Sequence, residues 1–286
     1  MSNKLDTQSI GLDVGLSFVK WLTGAENLHY GLWDGLELRA ENLGRAQAAY
    51  TDKLFDLLPK TPCRILDIGG GAGETAKKLI ALGHRVDIVI PSPFLADRCR
   101  ANAPTATVHE MPFEAFETDD RFDICLFSES FQYIPVDIAL DKATAFLAEG
   151  GAIIVSDCFR TEAYIKPKTD IRPIVGGGHI ITRFRRLLAD RPLEIVFEED
   201  ITAAVAPSID LEQGLFNVFG HAMTRVDDEL TAKKPKARWL LDKVLKAAIK
   251  SRSRTRLYQR LTEQSRNAQV FIDHNQYLMV KLQVRK

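Results

Sequence analysis

The chain has 286 residues, of which 45% are hydrophobic and 27% charged, and its formal net charge at pH 7 is zero. A chain of this length and composition fits one large α/β domain or two small ones, and it is unlike a disordered protein or one that coats nucleic acid. No apolar run approaches the ~18–20 residues that span a bilayer, and residues 1–10 lack the layout of a secretory signal, so we expect a cytoplasmic protein.

The cysteines give no sign of a disulfide framework or a metal centre. The four of them, at positions 63, 99, 125 and 158, form no CxxC pair and no paired spacing. This pattern favours reduced, buried thiols over disulfides or zinc. We therefore expect no bound metal.

The neutral total conceals two regions of opposite charge. Residues 231–286 contain 15 Lys or Arg against 3 Asp or Glu, a net charge of +12, and the preceding 230 residues carry −12. Most of the positive charge lies between Lys233 and Arg266. Such a block suits an anionic membrane surface, an acidic carrier protein or an anionic substrate; the alternative is a solvated exterior that offsets the acidic remainder of the chain.

Residues 1–60 have helical patterns. Apolar residues recur at helical spacing over Ile10–Leu22 and again over Leu43–Leu58. The stretch between them, residues 27–35, is rich in turn formers and aromatic side chains. We interpret residues 1–60 as an N-terminal helical lid.

From Cys63 onward, short apolar runs alternate with helical patterns. Strands are predicted at residues 64–68, 85–90, 107–108, 122–127, 152–155 and 193–201. The intervening helices are predicted at residues 74–82, from after Pro93 to about Asn102, at 137–147 and at 182–189. Right-handed crossovers between such strands give a mostly parallel sheet with helices on both faces. Residues 61–202 are therefore predicted to form an α/β core.

The last 84 residues, 203–286, continue the pattern differently. Two helices are predicted, at Asp210–Asp228 and Arg238–Lys250, and we interpret residues 203–268 as a basic helical cap over a substrate site. Alternating apolar residues over Gln269–Val284 predict one more strand, so residues 269–286 would return to the core sheet.

The motif that carries most chemistry is Asp67-Ile68-Gly69-Gly70-Gly71-Ala72-Gly73, at the first strand–helix junction. Its glycines permit a tight turn and let a ligand approach the backbone amides without meeting a Cβ. The aspartate ends the first strand and so faces the crevice at the carboxyl edge of the sheet. A carboxylate there suits a cationic amino-acid ligand better than a pyrophosphate, which it would repel.

With this motif the sequence resembles the class I S-adenosylmethionine-dependent methyltransferases. The resemblance extends over most of residues 25–202 and the final strand. Four stretches carry it: Ile65–Gly73, Arg121–Tyr133 (RFDICLFSESFQY), Leu147–Val155 (LAEGGAIIV) and Leu28–Asp34 (LHYGLWD). The last of these and the SESFQY run are similar to the branch of cyclopropane-fatty-acid synthases, tocopherol and sterol C-methyltransferases and macrolide-sugar O-methyltransferases.

The resemblance implies a fold, a cofactor and a set of site residues. The fold would be Rossmann-like, with a seven-strand, mostly parallel sheet whose last strand is antiparallel. The cofactor would be S-adenosylmethionine, and the residues implied to bind it are Asp67, Gly69, Gly71, Gly73, Tyr30, Ser92, Phe113 and Ser128. Tyr30 matches the segment that folds over the cofactor, whereas Phe113, with Glu110 and Glu114, lies in the stretch that brackets the adenine.

One position departs from the family's pattern. The second strand of such enzymes usually ends in an acidic or hydroxyl residue that accepts hydrogen bonds from the ribose, and here that position is Ile90. Losing a charged hydrogen bond to a buried hydroxyl costs roughly 1.5–3 kcal/mol. Ser92 or a backbone group would have to compensate. Asp87 lies three residues earlier, on the opposite face of the strand, and is no substitute.

Four residues are candidates for proton transfer. A base is needed only when the methyl acceptor is an alcohol, a weakly acidic carbon or a protonated amine. Glu129 is the first candidate because it follows the fourth strand; its alternative role is a structural carboxylate that holds the N-terminal helix or the methionine amine. His29, Tyr133 and His179 are the others, and His179 follows three glycines where a lid could sit.

These observations predict methyl transfer from S-adenosylmethionine to a small hydrophobic or lipid-like acceptor, in the cytoplasm or at the inner membrane face. The alternative, prompted by Ile90, is a methyltransferase-like fold with a degenerate or modified cofactor site that acts as a non-methylating binding partner. Methylation of nucleic acid is disfavoured because Ser-Glu-Ser-Phe, rather than an Asn/Asp-Pro-Pro-Tyr type of signature, follows the fourth strand.

Overall fold

A seven-stranded sheet forms the centre of the molecule. The computed structural model describes residues 7–165, 176–248, 251, 258–263 and 266–285. The strands are β1 (Arg64–Ile68), β2 (Arg85–Val89), β3 (Thr107–His109), β4 (Phe122–Ser128), β5 (Leu147–Arg160), β6 (Leu193–Asp200) and β7 (Asn275–Val284). Their order is β3-β2-β1-β4-β5-β7-β6. The first five are parallel, whereas β7 is antiparallel to both β5 and β6, as the resemblance predicts.

Helices cover both faces of this sheet. They are α1 (Thr7–Thr23), α2 (Leu43–Phe55), α3 (Glu74–Ala81), α4 (Pro93–Asn102), α5 (Val136–Phe146), α6 (Glu162–Ile165), α7 (Ile181–Ala189), α8 (Thr202–Val205), α9 (Pro207–Lys233), α10 (Pro235–Ala248) and α11 (Ala268–His274). None of these described helices is long and apolar enough to cross a membrane.

The central strands β1, β4 and most of β5 are buried on both faces, and this accounts for their largely apolar sequences, whereas most of the edge strand β6 is exposed. Along β1, Ile65 belongs to one hydrophobic cluster and Leu66 to the other. The same alternation separates Ile153 from Ile154 on β5. The first cluster includes side chains of α2, α3 and α4, and the second includes side chains of α5 and α7. A three-layer α/β/α core results.

The chain reverses direction across the sheet between β1 and β4. From β1 it proceeds outward through β2 and β3, and it then returns to place β4 and β5 on the other side. The carboxyl ends of β1, β2 and β4 consequently meet at one edge. In sheets of this kind the crevice outside that edge is where ligands bind.

The segment between α1 and α2, here called the N-terminal segment, closes over this edge of the sheet. The Gly31 N–H and the Trp33 Nε1 donate to the Ser208 hydroxyl of α9, at 3.1 and 2.8 Å. The Gln47 side-chain amide of α2 donates to the backbone carbonyl of His29 at 3.0 Å. Gly31 permits a close approach, because a Cβ there would lie 2.5 Å from that of Ala46. The segment is thereby pinned between α2 and α9.

The last strand is shorter than its alternation predicts. A strand was expected from Gln269, but Ala268–His274 forms α11 and β7 begins at Asn275. The Asn267 side chain accepts a hydrogen bond from the Val270 N–H and so caps this helix. Helices α9 and α10 occupy the region predicted as the helical cap, and both begin earlier than predicted. Residues 249 and 250 of the predicted second helix, and residues 252–257 and 264–265 of the basic block, lie outside the described residues.

Candidate functional site

A cavity of about 640 Å³ lies at the carboxyl edge of the sheet. Its wall is built from the residues that follow three neighbouring strands, β1, β2 and β4, and from the pinned N-terminal segment. The residues that line it are 12, 26–29, 67–72, 74–75, 89–92, 95, 112–114, 128–130 and 133–134. One cavity therefore joins the glycine motif, the end of β2 and the segment after β4.

The floor of the cavity is bare backbone. Gly69 and Gly71 have φ of 77° and 55°, a left-handed conformation that other residues rarely adopt. A Cβ at Gly69 would overlap Ser130, and one at Gly70 would lie 2.7 Å from the Asp67 Oδ2. Beside Gly71, by contrast, the nearest atom is the Leu28 Cδ1 at 3.8 Å, so this residue borders open space.

Gly73 has a different role from the one the motif implies. It is not among the described residues that line the cavity. A Cβ there would lie 2.9 Å from the Cα of Cys99 on α4. The expected cofactor contact is therefore replaced by close packing of the start of α3 against α4.

Asp67 is a buried carboxyl whose Oδ2 has no partner within the described part of the chain. The residue lines the cavity, although only 1% of its surface is exposed, and its Oδ2 receives no hydrogen bond from the described residues. Burial raises its pKa to about 7. Buried polar atoms are normally satisfied, and a cationic group in the cavity would both pair with this oxygen and favour the ionised form.

The wall formed by the end of β2 offers no acidic side chain. Ile90 lines the cavity and is followed by Pro91 and Ser92. The Ser92 hydroxyl accepts a hydrogen bond from the Leu95 N–H at 3.4 Å, so it caps α4 while it borders the cavity. Asp87 does not line this wall. Its Oδ2 instead pairs with the Arg64 Nε at a distance of 3.2 Å.

Three residues, Phe113, Glu114 and Glu110, were expected in the stretch that brackets the adenine. Two of them line the cavity and one does not. Phe113 is buried in the cavity wall, and Glu114 lines the same wall. Glu110 does not line it within the described part of the chain; it pairs with Arg100 at 3.0 Å. The adenine bracket implied for Glu110 is thus not supported by its position.

Glu129 is the second buried carboxyl of the cavity. Its φ of 56° is the one positive value among non-glycine residues in the described part of the chain, and its N–H donates to the Ser156 carbonyl at 2.8 Å. The Oε1 accepts hydrogen bonds from the Tyr30 N–H and the Tyr277 hydroxyl, both at 2.8 Å. Burial raises the pKa of Glu129 to about 7, against the opposing effect of these two donors.

A chain of hydroxyl groups extends from Glu129 into the core. The Tyr277 hydroxyl lies 2.9 Å from that of Tyr50, which donates to the Ser156 Oγ at 2.7 Å. The Ser128 Oγ, which borders the cavity, lies 3.3 Å from the Tyr50 hydroxyl. Sequence reasoning missed both tyrosines, because they lie 227 positions apart and belong to no local motif.

His29 lines the cavity in a state unsuited to accept a proton. Its ring stacks on Tyr50 with centroids 4.6 Å apart, and its Nδ1 lies 2.8 Å from the Tyr30 carbonyl oxygen. Burial lowers its pKa to about 4. The imidazole is consequently neutral near pH 7 and a weak base there.

Besides Gly73, two predicted site residues do not line the cavity within the described residues. His179 was expected as a catalytic candidate, but its Nε2 lies 2.8 Å from the Ile134 carbonyl oxygen and 3.0 Å from that of Phe131. It therefore holds the turn after β4. Tyr30 contributes its backbone N–H to Glu129, while its ring packs edge-on against Phe271. Its predicted contact with the cofactor stays a prediction.

Tyr133, in contrast, borders the cavity and leaves 78% of its surface exposed. Sequence reasoning also missed Glu26, which lines the cavity although it is 3% exposed. Its carboxylate accepts hydrogen bonds from the Lys20 Nζ at 2.9 Å and the Asn102 Nδ2 at 2.8 Å. These contacts tie the N-terminal segment to α1 and α4.

Comparison with known proteins places this geometry in a family. A family profile described as a methyltransferase domain matches residues 40–194. An uncharacterized methyltransferase of Mycobacterium tuberculosis is 28% identical over 115 residues, which are 38% of this chain and 46% of that protein. One from Bacillus cereus is 27% identical over 114 residues, 38% and 54% of the two chains. The chain thus matches only about half the length of these curated relatives.

Solved structures share the whole fold. The geranyl diphosphate C-methyltransferase of Streptomyces coelicolor superposes with a TM-score of 0.65 at 15% identity, over 99% of this chain and 100% of that one. A cyclopropane synthase of Mycobacterium tuberculosis gives 0.64 at 16% identity, over 99% of each chain. Since the family profile covers more than half of the sequence, the chain belongs to the methyltransferase-domain family, with the class I methyltransferase fold.

Proposed function

We propose that this protein transfers a methyl group from S-adenosylmethionine to a small hydrophobic or lipid-like acceptor. The observation that carries the proposal is the Asp67 carboxyl, whose Oδ2 no described residue pairs with, beside a loop of bare backbone amides in one cavity. A cationic amino-acid group and a hydrogen-bonding nucleoside need these two features together. Relatives give support, because the geranyl diphosphate C-methyltransferase was crystallised with S-adenosyl-L-homocysteine.

The residues present fit this cofactor. Asp67 would pair with its amino group, and the backbone of residues 69–72 would approach its methionine and ribose portions. Phe113 offers an apolar wall for the adenine, and Ser92 and Ser128 border the same space. When bound, S-adenosylmethionine supplies an electrophilic methyl group on a cationic sulfur.

The acceptor side of the cavity combines a proton acceptor with apolar walls. Glu129 keeps its Oε1 occupied, and no hydrogen bond from the described residues reaches its Oε2. A carboxyl with a pKa near 7 is suited to remove a proton at neutral pH. Leu12, Leu28 and Ile134 line the cavity as apolar residues. We infer that they exclude water and favour a hydrophobic acceptor.

Titration calorimetry with S-adenosylhomocysteine tests the cofactor part. We expect the wild-type protein to bind, and Asp67→Asn to weaken binding about 10- to 100-fold, because a charged hydrogen bond is lost. Glu110→Gln is the matched control, since Glu110 lies outside the cavity, and it should bind like the wild type. Absence of wild-type binding at millimolar ligand would refute the cofactor assignment.

The acceptor part needs a separate measurement. Transfer of a labelled methyl group from S-adenosylmethionine should be detected on apolar alcohols, isoprenoids or fatty acyl compounds in a mixed panel. We expect Glu129→Gln to abolish transfer while it leaves binding of S-adenosylhomocysteine within a fewfold of the wild type. Transfer to polar acceptors alone would contradict the inferred acceptor class, even if the cofactor binds.

A further inference from the structure

The cap contains a helical hairpin that extends away from the protein body. The first turns of α9 are held by the core, where Ile209 is buried, and Gly220 packs closely against the Leu261 carbonyl. Beyond Gly220, every residue to position 244 is exposed except the half-buried Leu230. We call residues 218–246 the basic hairpin. It comprises the second half of α9, the turn at Lys234 and most of α10.

The basic hairpin exposes a set of large apolar side chains. Between 47% and 66% of the surface of each is accessible, and they are Val218, Phe219, Met223, Val226, Trp239, Leu240, Leu241 and Val244. Phe219, Met223 and Val226 recur at helical spacing, as do Leu240 and Val244, so each helix has an apolar stripe. Contiguous exposed apolar surface on a protein marks a site of interaction.

The charges around these stripes are predominantly positive. The basic hairpin contains seven Lys or Arg and four Asp or Glu. Three of the acids are neutralised within it, since Asp227 pairs with Arg238, Glu229 with Lys233 and Asp242 with Lys246.

The remaining cations determine what the surface can bind. Among the described residues, no acidic side chain pairs with Lys234 or Lys236. The Lys243 ammonium lies 4.0 Å above the Trp239 ring, again beside no described carboxylate. An occupant of this surface must therefore be both apolar and anionic.

We propose that the basic hairpin docks on an anionic lipid bilayer. Its leucine, valine, phenylalanine and methionine side chains would enter the acyl boundary, and Lys234 and Lys236 would reach the phosphate headgroups. A tryptophan ring beside a lysine, as in Trp239 and Lys243, matches the boundary between hydrocarbon and headgroups. A second copy of the chain is a poorer occupant, because two such hairpins would bring like charges together.

Vesicle sedimentation tests the proposal on the full chain. We expect binding to vesicles of equimolar phosphatidylglycerol and phosphatidylcholine, loss of that binding at high salt, and little binding to phosphatidylcholine alone. Two double variants, Lys234→Gln with Lys236→Gln and Leu240→Ser with Val244→Ser, should each reduce binding by about tenfold or more. The matched controls, Lys60→Gln and Val14→Ser, alter equally exposed residues outside the hairpin and should bind like the wild type.

Tryptophan fluorescence supplies a second readout without altering the hairpin. In a Trp21→Phe background the remaining tryptophans are Trp33, which is buried, and Trp239, which is 58% exposed. Anionic vesicles should shift the emission to the blue and protect it from a water-soluble quencher. The proposal would be overturned if the protein bound neutral vesicles equally well, or if the Trp239 spectrum did not change. It would also be overturned if light scattering showed a dimer that the hairpin variants abolish. Binding of an acidic protein without any binding of vesicles would overturn it as well.

Discussion

The ends of β1 and β2 lie side by side on one cavity, yet they offer a ligand opposite chemistry. The end of β1 presents the unpartnered Asp67 and a loop without side chains, whereas the end of β2 presents Ile90 and Pro91. Family resemblance implies polar groups at both ends. We infer from this difference that the β1 wall contributes most to recognition of the cofactor, and that the β2 wall contributes mainly shape and desolvation.

The largest expected effect follows from adding a single methyl group to the β1 wall. Gly69→Ala would place its Cβ on Ser130 and hold a non-glycine residue at a φ of 77°. We expect a loss of roughly 2–4 kcal/mol in the free energy of unfolding, from overpacking and backbone strain together. Chemical denaturation measures it.

Gly150→Ala is the control for that prediction. Gly150 has a similar φ of 74°, but no atom lies within 4 Å of the Cβ it would acquire. Gly150→Ala should therefore lower the free energy of unfolding by about 1–2 kcal/mol, through backbone strain alone. Equal costs for the two variants would show that the loop is not closely packed on Ser130.

The next prediction concerns the β2 wall, where a substitution should strengthen a property of the protein, its affinity for the cofactor product, instead of weakening one. Ile90→Asp should improve the affinity for S-adenosylhomocysteine by about tenfold, because a carboxylate there can accept hydrogen bonds from ribose hydroxyls. Titration calorimetry measures the change. Ile90→Asn, of nearly the same shape but uncharged, should give a smaller gain. An unchanged or weaker affinity for Ile90→Asp would mean that this wall already holds the ribose by other means.

A smaller effect is expected from the hydroxyl chain behind Glu129. Tyr277→Phe removes a hydrogen bond to the Glu129 carboxylate, which favours the ionised form, so the pKa of Glu129 should rise further above about 7. The ascending limb of the pH–rate profile should move to higher pH, and the activation free energy at neutral pH should increase by about 1 kcal/mol. Tyr50→Phe, one hydroxyl further from Glu129, should move the limb less. A profile unchanged in both variants would exclude Glu129 as the titrating base.

Much of the fold could be predicted because its signals are local. Strands buried on both faces leave unbroken apolar runs, and the glycine motif identified the end of β1 and the position of Asp67. The departure at Ile90 was also visible, since the family resemblance specifies an acidic or hydroxyl residue at the end of the second strand and counting from Asp67 locates that position. The start of β7 was predicted wrongly, because Val270 and Ile272 alternate like a strand although Asn267 caps a helix there.

The side-chain network of the site could not be predicted in the same way. Tyr50 and Tyr277 meet only because α2 and β7 pack against the same strands, and no spacing in the sequence indicates it. His179 follows three glycines, a pattern that suits a mobile lid, but its ring is fixed by the carbonyl groups of the turn after β4. Such contacts depend on tertiary packing between segments that are distant in the chain.

The pH dependence of cofactor binding tests the central claim most directly, namely that the Asp67 carboxylate holds a cation. Burial raises the pKa of this group to about 7, so it is largely protonated at pH 6 and largely ionised at pH 8. Titration calorimetry with S-adenosylhomocysteine should show the wild-type affinity increasing from pH 6 to pH 8, while Asp67→Asn binds weakly with little change. Equal affinity and the same pH dependence in both proteins would contradict the claim.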